Sequence, residues 1–406
     1  MTVGPVPRLG KDTMKRALVL LAVAAVAVAA LGVGPVAGGS TRRAPAPDLR
    51  LNHWQVLGSH NSYHVEQPAD IIEIYKQFDP EAYTLAYTHE PLPQQLDEQE
   101  VRQFELDVFA DPAGDLWRPL GRPGFKVFHI EQVDMDSNCE VLVDCLSQVK
   151  GWSDVHRDHM PIAFLLEIKD TADIPGPPDA LPITSELLAD LDDEIRSVFP
   201  ADRLITPDDV RGSRTTLEEA VLQDGWPTID ESRGKVMFLL DNKRNEYLAG
   251  TTTLEGRVAF TPSAPGQPDA AFLKLNDPIG DFDVIQSAVA AGYMVRTRSD
   301  LPVETAISGD TSMRDAAFAS GAQWVSSDYP VPGLSSRWGT DYVAQIPGGV
   351  PARCNPLSAP VGCENVLIEN LQVPTSTSTT TVAPTSTATT ATTVAAASSS
   401  VPRFTG

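Results

Sequence analysis

The sequence predicts an α/β chain closed into a TIM-type (β/α)8 barrel, and three observations lead there. Between about Pro47 and Pro332, short apolar runs of strand length alternate with helix-like or loop stretches, the pattern of a parallel sheet covered by helices. About eight such runs fall in one unit, and no G-x-G-x-x-G turn marks a doubly wound sheet, so closure is favoured. The polar residues that stand out lie near the strand ends that feed the loops, where barrel active sites form.

Taken in order, the strand runs are His53–Leu57, Phe104–Phe109, Lys126–Ile130 and Ile162–Ile168, then Val236–Leu240, Val258–Phe260 or Phe272–Leu275, Met294–Arg298 and Trp324–Ser326. Thr184–Phe199 reads as an amphipathic helix, with Leu187, Leu188, Leu191, Ile195 and Val198 on one face and Thr184 or Ser185 as its N-cap. The segments around Val284–Gly292 and Ser312–Gly321 read likewise, each ending at a glycine suited to a C-cap. Leu92–Glu105 begins as a short helix that delivers the acidic strand behind it. No internal repeat is visible.

The ends of the 406-residue chain do not read as fold. Arg8, Lys11, Lys15 and Arg16 precede an apolar run from Ala17 to Val33 and small residues around Ala37, the signature of a secretory signal over 1–38. A spanning anchor is the rival, but the run is Ala-rich and barely long enough. Residues 372–406 are Thr, Ser, Ala and Pro with almost no charge, and are expected to be a disordered tail. The barrel is placed at 47–336, with a C-terminal extension at 337–371. Export makes local disulfides the simplest use of the four cysteines, Cys139 with Cys145 and Cys354 with Cys363; neither pair has zinc-site spacing. The net charge of −23 argues against nucleic acid and against electrostatic docking on anionic lipid.

The chemistry gathers in G-S-H-N-S-Y-H (58–64), F-E-L-D-V (104–108), F-K-V-F-H-I-E (125–131) and F-L-L-E-I-K-D (164–170). Two apart on a strand, Glu105 and Asp107 share a face, and neighbouring carboxylates repel unless a cation separates them or one stays protonated. A hard divalent ion with oxygen ligands is the natural occupant. Glu167 interrupts an apolar run where a buried charge needs a partner, and the same cation supplies one. His60 and His129 then read as an acid–base pair, with Asn61 beside the first. Arg296 and Arg298 suit an anionic group such as phosphate, or else neutralise the acids. Lys169, Asp328 and Tyr329 complete the substrate-binding candidates, and Lys274 and Asp241 are weaker ones. His53, His64, His89, His156 and His159 are left as structural or surface residues.

In this order, S-H-N-S-Y, F-E-L-D-V, V-F-H, L-E-I-K-D, V-R-T-R-S-D and S-G-A-Q-W-V-S-S-D-Y-P resemble the calcium-dependent phosphoinositide-specific phospholipase C family of bacteria over most of Leu51–Pro332. The resemblance implies a barrel that cleaves phosphatidylinositol to diacylglycerol and a phosphorylated inositol with one Ca2+. It implies calcium ligands at Asn61, Glu105, Asp107 and Glu167, a phosphoryl- or proton-handling role for His60, and leaving-group assistance from His129. The expectation is a secreted, monomeric enzyme in transient contact with a membrane surface. The alternatives are a glycerophosphodiester phosphodiesterase, whose first strand typically reads H-R-G rather than S-H-N, and a non-catalytic secreted binding barrel.

Overall fold

A computed structural model describes residues 48–117, 121–171 and 180–369. The proposed signal and the Thr/Ser-rich tail lie outside them. The strands are β1 (Trp54–Ser59), β2 (Gln103–Phe109), β3 (Lys126–Val127), β4 (Ile162–Lys169), β5 (Leu204–Ile205), β6 (Val236–Leu240), β7 (Ala259–Phe260), β8 (Phe272–Lys274), β9 (Met294–Arg298), β10 (Trp324–Ser327) and β11 (Ala352–Cys354). Parallel pairing runs β6–β4–β2–β1–β10–β9–β8, with β7 on the other side of β6. A parallel bridge between Pro262 and Phe272 joins the continuation of β7 to β8 and closes the ring.

Period-two alternation decides which side chains enter the barrel. Phe104, Phe164 and Phe238 are register partners in β2, β4 and β6, and their rings pack outward with Phe199, which follows the helix Ser185–Val198. The opposite parity therefore turns Glu105, Asp107 and Glu167 inward. Below them Trp54, Trp324 and Phe272 fill the interior, with ring centroids 5.4 and 5.9 Å apart. Gly58 makes room for the Gln103 side chain: a Cβ there would stand 2.0 Å from its oxygen and force that side chain to move.

The expected helices form at Ser185–Val198, Phe282–Ala291 and Ser312–Ser320. Thr184 caps the first by accepting from Leu187 N–H at 3.2 Å. Gly292 and Gly321 close the other two at φ 114° and 82°.

Three sequence expectations need correction. Lys126–Ile130 is not a barrel strand; only Lys126–Val127 extends, antiparallel to the end of β2, where β1 has already ended and left that edge open. Both Ala259–Phe260 and Phe272–Lys274 form, where the sequence suggested one or the other. Leu204–Ile205 is an additional short strand beside the first half of β6, too brief to show any periodicity.

Residues 337–369 pack on the barrel. The Tyr342 hydroxyl donates to the Ser299 carbonyl at 2.8 Å, β11 runs antiparallel on the first half of β1, and Glu369 pairs with Arg102 at 2.8 Å, both buried. The two local disulfides are present, Cys139–Cys145 and Cys354–Cys363. Among the described residues no helix is long and apolar enough to cross a membrane.

Candidate active site

The segment after β1 is anchored before it contributes chemistry. Ser62 Oγ accepts from Glu105 N–H at 2.8 Å and Ser62 N–H donates to the Glu105 carbonyl at 2.9 Å, tying the S-H-N-S-Y turn to β2. Asn61 takes the left-handed backbone conformation that makes the turn, at φ 44°. Its side-chain NH2 donates to the Tyr87 hydroxyl at 3.1 Å, and its buried Oδ1 has no hydrogen-bond partner.

Five groupings of charge then line the upper end of the barrel. His60 Nδ1 lies 2.9 Å from Asp328 Oδ1, just past β10, with Arg298 3.8 Å from the other Asp328 oxygen. Arg296 from β9 crosses the interior to Glu105 on β2, and also donates to Asn276 at 2.6 Å. Lys169 bridges Asp107 at 3.1 Å and Glu167 at 3.0 Å, and Lys274 meets Asp241 at 2.5 Å. His129 Nδ1 lies 2.8 Å from Asp134 Oδ2.

Sequence reasoning passed over three participants. His64 is fully buried, contacts the same Asp134 oxygen at 2.8 Å and stacks on Tyr87. His89 donates from Nε2 to the His60 carbonyl at 2.8 Å and lies 3.7 Å from Asp328. Asp134 follows His129 by five residues, held by a turn in which its N–H and the Ile130 carbonyl bond at 2.9 Å. The only sequence signal for His64 is its place four residues after His60. Tyr329, proposed for substrate, is 2% exposed and packs with Ala306 and Tyr342.

A family model described as Ca2+-dependent phosphoinositide phospholipase C matches residues 49–120 and 117–356, about three quarters of the chain. The chain belongs to that family. Among solved structures, it is similar to a calcium-dependent phosphoinositol-specific phospholipase C from a Pseudomonas species, at 21% identity over 76% of this chain and 97% of that one, with a TM-score of 0.50. It is also similar to a Ca2+-dependent phosphatidylinositol-specific phospholipase C from Streptomyces antibioticus, at 20% identity over 71% and 96%, with a TM-score of 0.48. The first likeness supports the barrel. No protein of curated function is significantly similar.

As a phosphoinositide phospholipase C, the chain is a phosphodiester-cleaving enzyme, and Ca2+ is its family's ion. Its residues fit one. Burial, with Glu167 adding to it, pushes Asp107 up to about 8 despite Lys169, so this carboxylate needs more positive charge than the protein gives it. Asp107 has Lys169 at 3.1 Å as its charge partner, and the buried Asn61 Oδ1 has no hydrogen-bond partner. Oxygen donors left in this state are the set a hard cation takes. Burial likewise pushes Glu105 up to about 8, although Arg296 pairs with it directly.

His64, His129 and Asp134 also bring ligand atoms within 4.8 Å of one another. That trio is held together by its own hydrogen bonds and is rich in nitrogen, a poor match for Ca2+.

Proposed function

We propose that the chain cleaves phosphatidylinositol to diacylglycerol and an inositol cyclic phosphate, by attack of the inositol 2-hydroxyl on phosphorus. The observation that carries this reading is the pair of histidines, each fixed through Nδ1 by its own buried carboxylate. Asp328 accepts the Nδ1 proton of His60 and Asp134 that of His129, which leaves Nε2 of each ring as the nitrogen available to substrate. Burial, reinforced by Arg298, lowers His60 to about 3, so His60 is a neutral acceptor at pH 7. It takes the 2-hydroxyl proton, while His129 donates one to the departing glycerol oxygen. Arg298 is placed to meet phosphoryl charge.

Asn61, Asp107 and Glu167 would hold Ca2+, with Glu105 behind them. When bound, the ion supplies Lewis acidity toward the 2-hydroxyl and a phosphate oxygen. The proposed export of the enzyme and its transient contact with a bilayer accord with two disulfides and a membrane-resident substrate.

Phosphorus NMR of the enzyme with phosphatidylinositol micelles tests the reading. A cyclic phosphate signal that requires Ca2+, disappears with chelator and is lost in His129→Ala is expected. Turnover that gives only an acyclic phosphate would refute attack by the neighbouring hydroxyl.

A further inference from the structure

Asp300, two residues beyond β9, is a fully buried carboxylate, and among the described residues no lysine or arginine forms an ion pair with it. Such a group costs stability unless donors surround it. Two of its donors belong to the end of β10 and the residue that follows. Oδ1 accepts from the Asp328 backbone N–H at 3.1 Å, and Oδ2 accepts from the Ser327 hydroxyl. The Ser299 hydroxyl is 2.9 Å from Oδ2. The Tyr342 hydroxyl, which donates to the Ser299 carbonyl, stands 3.2 Å from the same oxygen.

We propose that Asp300 is a positioning residue for catalysis: it fixes the turn at Ser327–Tyr329 so that Asp328 meets His60, and Tyr342 ties the C-terminal segment into the same arrangement. The inference rests on the proposed role of His60 and names what holds that role in place.

The turn is held at successive backbone groups. The Ser327 hydroxyl that donates to Asp300 also accepts from Tyr329 N–H at 2.8 Å, and the Ser327 carbonyl accepts from His60 N–H at 3.2 Å. The Tyr329 carbonyl accepts from Ala344 N–H at 2.9 Å, a second tie to the C-terminal segment. With its backbone N–H held by Asp300, Asp328 presents Oδ1 2.9 Å from His60 Nδ1. A carboxylate suits position 300 because it accepts on both sides at once. An amide offers one accepting oxygen, so either the Asp328 N–H or the Ser327 hydroxyl would lose its acceptor. A shift of the Asp328 carboxylate passes directly to the His60 ring, and misplacing a reacting group by about 1 Å costs up to about 10^2-fold in rate. Asp300 therefore acts through Asp328.

Steady-state kinetics of the full chain on phosphatidylinositol micelles with saturating Ca2+, read as a double-mutant cycle, tests this. Asp300→Asn is expected to lower kcat by about 10-fold, with KM and the calcium affinity from isothermal titration unchanged. In an Asp328→Asn background the same substitution should change kcat by less than about 2-fold, because the contact it serves is already gone. Unchanged kcat in Asp300→Asn, beside an impaired Asp328→Asn, overturns the proposal and leaves the role of His60 standing. An equal loss in both backgrounds also overturns it, since Asp300 would then act independently of Asp328. Full activity in Asp328→Asn would instead remove the reading of His60, and the proposal with it. If Asp300→Asn fails to fold, Tyr342→Phe, which removes one hydroxyl beside the same carboxylate and keeps the ring, takes its place in the cycle. A loss of about 2–5-fold that vanishes in the Asp328→Asn background is then expected, and an unchanged kcat overturns the proposal.

Discussion

Replacing Arg296 by methionine should destabilise the barrel by stranding a buried carboxylate. The Arg296 and Glu105 side chains are 1% and 4% exposed, so methionine would leave a carboxylate among Trp324, Asn276 and the inner faces of β2 and β9 with its partner gone. Removing one member of a buried pair costs about 3–5 kcal/mol, because the remaining charge must stay unpaired or take up a proton. For a domain of this size that is a fall in Tm of roughly 10 °C. Differential scanning calorimetry of the single variant beside Glu105→Gln/Arg296→Met provides the comparison. The double variant should recover most of the loss, and the single variant's deficit should shrink toward pH 5, as Glu105 of the unfolded chain begins to take up the proton that the stranded, buried carboxyl already holds. Repeating the scan with Ca2+ asks whether the ion can replace the guanidinium. A loss below about 1 kcal/mol in Arg296→Met would refute the view that this pair, rather than packing, holds β9 against β2 across the interior.

Three further outcomes follow from the same geometry. Asp107→Asn should weaken calcium by about 10–100-fold or more in isothermal titration, since it removes a buried, inward-facing carboxylate beside Asn61 and Glu167 in the proposed ligand set; unchanged affinity would place the ion elsewhere. Asp328→Asn should lower kcat by about 10^2–10^4-fold with the fold intact by circular dichroism, because His60 loses the acceptor that fixes its ring. His159 has its folded value lowered to about 4 by burial, against the ordinary 6.5, and its ring contacts Ser153 and the Met160 carbonyl. Between pH 6.5 and 4 the unfolded chain alone binds that proton, so stability falls with falling pH, by about 3 kcal/mol for this group; thermal melts across that window should flatten in His159→Gln.

The barrel was legible because its strands are apolar on both faces, so F-L-L-E-I-K and V-M-F-L-L stand out without knowledge of their neighbours. The inward acids were legible for the complementary reason: Glu105, Asp107 and Glu167 break runs that should hold no charge. What escaped depends on contacts between distant segments. Asp134 lies in an ordinary V-D-M-D loop, and only the turn after β3 brings it to His129 and His64. His64 and His89 looked structural because nothing local reveals a buried carboxylate 70 residues from the first, or Asp328 beside the second. The arginines were read both as phosphate ligands and as neutralisers. Packing separates them: Arg296 is committed to Glu105, while Arg298 stands 3.8 Å from Asp328, near His60. The run at Lys126–Ile130 was misread since its alternation is that of a strand, and only the early end of β1 explains where it pairs.

The segment 337–369 begins near the catalytic rim, where Tyr342 bonds to Ser299, and finishes beneath the barrel, where Glu369 meets the arginine that precedes β2. Leu49 and Leu51 join the same underside through Ile229 and Pro227. Both ends of the described chain thus leave from the floor. The rim is therefore the end of the barrel from which neither the first nor the last described residue departs, so these attachments to the floor leave the mouth clear.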